Sequence, residues 1–324
     1  MIRSFVFSDG KLASQDLAIE ALRLVRADKG LVLWIDLDNP TDAEIKTILE
    51  DVFQFHPLTI EDCVNPSSLP KIEDYEDYLF LVMHAVDFTR AGKFATTELD
   101  LFIGKDYLVT FHRTPLKSVQ GAIDRVTKGA GFIARGPDRL AHTVLDLLVD
   151  NYQPVMAELA AELEEIEESV LTKESSSQAF MAEIVKVRGD FSRLRAIASP
   201  QRDVIERLAR GENKLIHPAL LPYFRDLRDN LVRLDATAGS YHERLMMAFD
   251  IFLNKAAFEA NEGIKFLTAI TALTLPAVVV GGWYGMNFDN MHELRSPHGY
   301  LYAFIFTLVT TALMVIYLKK KKWF

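Results

Sequence analysis

Two apolar stretches dominate the hydropathy pattern, and both lie near the C-terminal end. Residues 264–284 run Ile-Lys-Phe-Leu-Thr-Ala-Ile and on to Val278-Val279-Val280-Gly281-Gly282, and residues 300–318 are apolar apart from three threonines. A helix rises ~1.5 Å per residue, so about twenty residues cross the ~30 Å hydrocarbon layer of a bilayer. Each stretch is long enough. Between them stands a polar run, Asn287-Phe288-Asp289-Asn290-Met291-His292-Glu293. The pattern predicts a membrane hairpin with an amide-and-carboxylate turn, and a large polar body on one side of the bilayer.

Upstream, residues 1 to about 135 mix two periods. Leu31-Val32-Leu33-Trp34-Ile35, Tyr78 to Met83 and Tyr107 to Phe111 read as buried strands, whereas 15–27 and 41–52 carry helical spacing. Gly104-Lys105-Asp106 reads as a hairpin turn between 99–103 and 107–112. This is an α/β layer domain. From Pro137 the signal is helical: Leu140, Val144, Leu147 and Leu148 begin an apolar face that Leu159, Leu163, Ile166 and Val170 continue. The opposite face is acidic, from Glu158 to Glu168. After Ser175-Ser176-Ser177 a second helix returns through Phe180, Ile184, Val187, Phe191 and Leu194 with Lys186, Arg188, Arg193 and Arg195 on its polar side, which favours an antiparallel pair.

From Tyr223 no proline occurs until Pro276, so one helix of about sixty residues, on the order of 90 Å, runs from the polar body into the first span. Along it Asp250, Asn254, Ala257, Asn261, Ile264, Leu267, Thr271, Leu275, Val278 and Gly282 follow one another at steps of three or four and share one stripe. Two readings fit this spacing. Copies arranged around an axis would turn it into carboxylate and amide rings, a dewettable apolar constriction and a narrow mouth. Ordinary helix packing with small residues at contacts gives the same spacing. The turn after the span likewise reads as a polar hairpin turn or as a cation site: Gly285 permits close backbone approach, and Asn287 offers a carbonyl oxygen that suits the water shell of Mg²⁺. Asp289 and Glu293 would draw cations to that mouth.

The formal charge of −9 disfavours nucleic-acid binding, which needs a basic footprint, and suits cations. A single cysteine, Cys63, excludes an intrachain disulfide. The first ten residues hold no apolar run of signal-peptide length, so no secretory leader is expected. Lys319-Lys320-Lys321-Lys322 beside the second span marks the cytoplasmic side, which predicts a multi-pass protein of the cytoplasmic (inner) membrane with both termini cytoplasmic. No Gly-x-Gly-x-x-Gly, phosphate loop or Gly-x-Ser-x-Gly elbow occurs, and no enzyme is expected.

At Tyr284-Gly285-Met286-Asn287 the chain resembles the CorA family of magnesium channels, defined by Gly-Met-Asn at the outer end of the first span. His56-Pro57-Leu58-Thr59-Ile60-Glu61-Asp62, Pro70-Lys71-Ile72-Glu73, Tyr78 to Val82, Tyr223-Phe224-Arg225-Asp226 and the Lys319 to Phe324 tail extend the likeness over nearly the whole chain. The resemblance implies a homopentameric, funnel-shaped channel in the lipid bilayer for Mg²⁺, with Co²⁺ as a possible second ion, gated by intracellular Mg²⁺. Its expected organisation is a cytosolic α/β domain (1–135), cytosolic antiparallel helices (136–222), a long pore helix (223–284) with the first span at about 264–284, an outer loop (285–299), a second span (300–318) and a basic cytoplasmic tail (319–324).

The same resemblance implies that Asn287 and the Gly285 carbonyl bind the hydrated ion. It also implies that Asp226 and Asp250 sense cytosolic Mg²⁺, with Asp87, displaced by two residues, as the nearest strand-end partner. The outer loop departs from the family's usual Met-Pro-Glu-Leu in reading Met291-His292-Glu293-Leu294, and a basic residue before the second span is missing from Arg295 to Gly299. His292 and His298 open the alternative of a softer ion such as Zn²⁺. A zinc carrier of the ZntB type, proton-coupled, is one competing expectation, against which Met286 argues; a membrane-anchored scaffold or sensor is another.

Overall fold

The computed structural model describes all residues except 29, 67–68, 88–94, 130, 132, 173–177, 287–295, 322 and 324. The chain divides into two compact units, residues 1–169 with 179–247, and residues 170–178 with 248–324.

The first unit is built on a seven-stranded sheet of β1 (Ile2–Ser8), β2 (Lys11–Gln15), β3 (Leu31–Asp38), β4 (Lys71–Tyr75), β5 (Tyr78–Asp87), β6 (Ala95–Gly104) and β7 (Tyr107–His112), in the order β2-β1-β3-β7-β6-β5-β4. Only β3 and β7 pair in parallel; the other neighbours are antiparallel. Successive side chains of a strand point to opposite faces, so each strand feeds two cores. Leu33, Ile35, Leu37, Phe80, Val82, Phe102, Val109 and Phe111 fill one face under α1 (Ile19–Ala27), α2 (Asp42–Ile45) with the wide π-type turn Lys46–Val52, and α3 (Pro57–Val64). On the other face Leu79, Leu81, Met83, Leu99, Leu101 and Ile103 are equally buried, and α5 (Pro137–Asp150), preceded by α4 (Lys117–Thr127), lies across β6 and β7.

The expected turn at 104–106 is present, with Lys105 and Asp106 joining β6 to β7. It requires glycine at 104, where a Cβ would lie 2.3 Å from the Tyr107 ring. The helical spacing over 15–27 is only partly realised. The chain stays in β2 to Gln15, where Asp16 takes a left-handed φ of 51° and donates its N–H to the Ser4 carbonyl at 2.7 Å, and the helix starts at Ile19. Over 41–52 the helix begins in a capping box between Thr41 and Glu44 and then widens into the π-type turn.

Three long helices follow: α6 (Tyr152–Thr172), α7 (Gln178–Arg210) and α8 (Leu221–Tyr284). Within the first unit Leu159, Leu163 and Ile166 of α6 are buried with Phe180, Ile184, Val187, Phe191 and Leu194 of α7 and Phe224, Leu227 and Leu231 of α8. Opposite charges cross between them: Lys186–Glu162 at 3.3 Å, Arg195–Asp235 at 3.4 Å and Arg244–Glu167 at 2.6 Å. Exposed pairs of this kind contribute at most about 1 kcal/mol each, so the apolar seam carries the stability and the charges set register.

The end of β5 is tied to these helices through His84. β5 outruns its edge neighbour β4, which pairs only as far as Val82. The backbone of His84 therefore turns to side chains: its N–H donates to Gln201 Oε1 at 3.0 Å and its carbonyl accepts the Tyr152 hydroxyl at 2.6 Å. Gln201 also donates to that hydroxyl at 2.6 Å, and both side chains are fully buried. Buried backbone groups left without partners are costly, which is why two polar side chains occupy this core position.

The second unit holds α8 from Ala248 onward and α9 (Gly299–Lys320). Both helices are long and apolar enough to cross a membrane.

Candidate functional site

In the second unit, all ten residues of the stripe from Asp250 to Gly282 are exposed in the single chain. Ile264 is 63%, Leu267 66%, Leu275 51% and Val278 66% accessible. Positions buried against the rest of the chain, Ala269 and Val280, lie on the other side of α8, with Lys265, Ala272, Leu273, Pro276 and Tyr284 partly covered beside them. An apolar helix face left bare by its own chain needs lipid or another copy against it. Thr271 interrupts this face. Its hydroxyl donates to the Leu267 carbonyl at 2.9 Å, so the lone pairs of Oγ1 remain to accept from water.

At the end of α8, Gly285 donates its N–H to the Gly281 carbonyl at 3.0 Å. A Cβ at 285 would stand 2.8 Å from that backbone oxygen, so a side chain here would force the helix end apart. Asn287, Asp289 and Glu293, as well as His292, lie outside the described residues. His298 is exposed at the start of α9.

In the first unit, Asp226 opens into a cleft of about 280 Å³ shared with Arg125, Arg139, His142, Asp146 and Tyr223. Asp146 comes from α5, and Arg125 from α4 stands 4.0 Å from it. Burial pushes the Asp146 carboxyl above the usual range, and the nearby Asp150 and Asp226 add to the rise while His142 and Arg125 oppose it. Burial also lowers the His142 pKa against the pull of Asp146, a backbone hydrogen bond with Tyr223 and the charge of Asp226. His142 is held edge-on to Tyr223 and Phe224, with ring centroids 5.7 and 5.2 Å apart. The cleft therefore sets an imidazole whose protonation burial disfavours beside the carboxyl groups of Asp146 and Asp226, with Arg125 and Arg139 on the same wall.

The structure thus places Asp226 beside Asp146, which the sequence reading did not single out. Its one signal was the spacing of Asp146 and Asp150, a single helical turn apart amid the apolar positions of α5. Asp87 is the last residue of β5, and its side chain lies outside the described residues. Asp250 is exposed in the second unit. Among the described residues no three His, Cys, Asp or Glu side chains of one chain converge to hold a metal ion.

An α/β domain, long helices and two C-terminal helices that are each long and apolar enough to cross a membrane give the chain the make-up of a membrane protein. The family model for the CorA-like Mg2+ transporter protein matches residues 29–320, and the chain belongs to this CorA family. It is 30% identical over 291 residues to the Bacillus subtilis protein YfjQ, covering 90% of this chain and 89% of that one. To the cobalt/magnesium transport protein CorA of Thermotoga maritima it is 28% identical over 298 residues, covering 91% and 84%. The complete structure of the CorA magnesium transporter from Methanocaldococcus jannaschii superposes with a TM-score of 0.83 at 20% identity, over 99% of this chain and 98% of that one. The same fold is thus shared from the sheet to both apolar helices.

Proposed function

We propose that the chain is a channel for divalent cations, Mg²⁺ foremost and Co²⁺ with it, in the cytoplasmic membrane, and that cytosolic Mg²⁺ closes it. The observation that carries this reading is α8 itself: one helix of 64 residues extends from the cytosolic unit to the Gly285-Met286 end of the span, with a face left bare along its apolar half. Two apolar helices do not enclose a conduit, so copies of the chain, five in our reading, set their α8 stripes around a common axis. Asn261 then forms an amide ring, Ile264, Leu267, Leu275 and Val278 a constriction that dewets when narrow, Thr271 a polar relief within it, and Gly282 a slim outer end. Asn287 with the Gly285 carbonyl takes up the ion with its water shell, which suits a cation that dehydrates reluctantly. Asp289 and Glu293 raise the cation concentration at the mouth.

The loop at 285–299 faces outward and both termini face the cytoplasm, in keeping with Lys319 to Lys322 beside the second span. Closure follows from carboxylates. Asp226 and Asp146 within one chain, Asp87 at the strand end, and Asp250 facing its counterparts repel across subunits unless Mg²⁺ bridges them. Mg²⁺ therefore favours the closed ring, and its loss releases it. Mg²⁺, Co²⁺ and Zn²⁺ flux into liposomes, with and without a proton gradient, tests the proposal. Mg²⁺ uptake driven by membrane potential alone supports it; zinc uptake that requires a proton gradient, with no Mg²⁺ flux, overturns it.

A further inference from the structure

The first unit carries a second cleft, apart from the acidic one, that encloses about 570 Å³. Four cationic side chains line it from three separate segments: Lys105 from the β6–β7 turn, Arg135 and Arg139 from either side of the start of α5, and Lys214 from the loop after α7. Among the described residues Lys105, Arg135 and Lys214 stand within ion-pair distance of no carboxylate, whereas Arg228 and Arg244 on α8 are held by Glu206 and Glu167. Two carboxylates share the cleft, Asp106 and Asp138. The oxygens of Asp138 are turned to backbone, Oδ1 accepting the Arg139 N–H and Oδ2 the His217 N–H, each at 2.9 Å. α5 begins at this wall with Gly136 as its cap and Pro137, which has no N–H, as its first residue, so after the Arg139 N–H is taken by Asp138 the helix end adds little and the cleft's pull on anions rests on its cationic side chains. A concentration of unpaired positive charge in a chain of net charge −9 calls for an anion.

We propose that this cleft binds the phosphate chain of a nucleoside di- or triphosphate. The cations stand on separate segments around a volume far larger than one phosphate, so a linear polyphosphate reaches more of them than a single tetrahedral anion does. Leu31, Leu215 and Pro218 give the cleft an apolar wall for the base. With no glycine-rich phosphate loop in the chain, recognition rests on side chains from the three segments.

Equilibrium binding of ATP, inorganic triphosphate and orthophosphate to the full chain in nanodiscs tests this, with a chelator present so that no divalent cation contributes. Saturable binding of ATP and triphosphate, each displacing the other, is expected, with orthophosphate weaker by about tenfold or more. Lys105→Glu with Lys214→Glu lowers the ATP affinity by about tenfold or more, while Arg188→Glu with Arg193→Glu, on exposed α7 positions outside the cleft, leaves it unchanged. Unchanged thermal unfolding of both double variants shows that they fold. Absence of saturable binding, ATP that triphosphate does not displace, or an equal loss in both double variants overturns the proposal. Because the measurement excludes divalent cations, its failure leaves the channel reading untouched.

Discussion

Leu81, Leu101 and Phe102 in the first unit are fully buried, whereas Ile264, Leu267 and Val278 in the second are about two-thirds exposed, at 63%, 66% and 66%. The residue types are alike; what differs is what the rest of the molecule supplies to cover them. In the sheet, both faces meet helices of the same chain, and the hydrophobic effect acts within one polypeptide. Along α8 past Ala248 the chain covers only one side, and the bare side is left for lipid or for other copies. Burial in a single chain thus reports how the first unit folds, while exposure in the second reports what it is folded against.

The comparison breaks most sharply at a buried aromatic. Phe102 lies between Phe55 and Phe80, with ring centroids 4.1 and 4.8 Å away. Phe102→Ala should cost about 3–5 kcal/mol and melt the first unit at a markedly lower temperature, as followed by thermal unfolding. A large substitution on the bare face should instead leave the fold intact and act on conduction.

The next largest effect concerns gating. On the proposed function, Asp226→Ala with Asp250→Ala should remove most of the inhibition by Mg²⁺ and shrink the protection expected from Mg²⁺ for the first unit against protease. Each single variant is weaker because several carboxylates share the site. Full inhibition and full protection in the double variant would place the sensor elsewhere.

Leu275→Asn should wet the proposed constriction and raise the single-channel or liposomal conductance without lowering the thermal stability of the first unit. Currents unchanged at every Mg²⁺ level would mean that the stripe has been assigned to the wrong side of α8.

The smallest expected effect is a pH dependence. Asp146 has its carboxyl pKa raised in the folded chain, so the folded state holds that proton more readily than the unfolded one. Its contribution to stability is present at low pH and is lost as pH rises through the raised value. Cation binding runs the other way, because Mg²⁺ needs the ionised carboxylate. Inhibition by Mg²⁺ should therefore weaken by a few-fold as pH falls toward the carboxylate range, and His142⁺ would add to the loss below its lowered pKa. Asp146→Asn should flatten this profile while leaving metal-free thermal stability at neutral pH unchanged or higher.

The features legible in the sequence are those that depend on long, regular patterns. The helix expected over 223–284 is present as Leu221–Tyr284, because the run from Tyr223 to Leu275 holds no proline and outweighs its two glycines, while Pro276 is accommodated inside the helix. The apolar faces of α6 and α7 are buried at the expected positions. Short and polar elements were not legible: β4 reads Lys-Ile-Glu-Asp-Tyr, with a single aliphatic residue, and is a strand only because β5 pairs with it. The cleft at Asp226 was half legible. Asp226 stood out through the family motif, but its neighbour Asp146 is eighty residues away in sequence and is brought close only by the packing of α5 against α8.

In the proposed channel, five bare α8 faces line a Mg²⁺ pathway that ends at Gly285-Met286-Asn287. Its most direct test is Mg²⁺ uptake into liposomes carrying the wild-type chain or Asn287→Ala, with the oligomer checked by cross-linking. Selective Mg²⁺ uptake is expected to disappear in Asn287→Ala while the pentamer persists. Undiminished Mg²⁺ flux through an intact Asn287→Ala pentamer would contradict the proposed pathway.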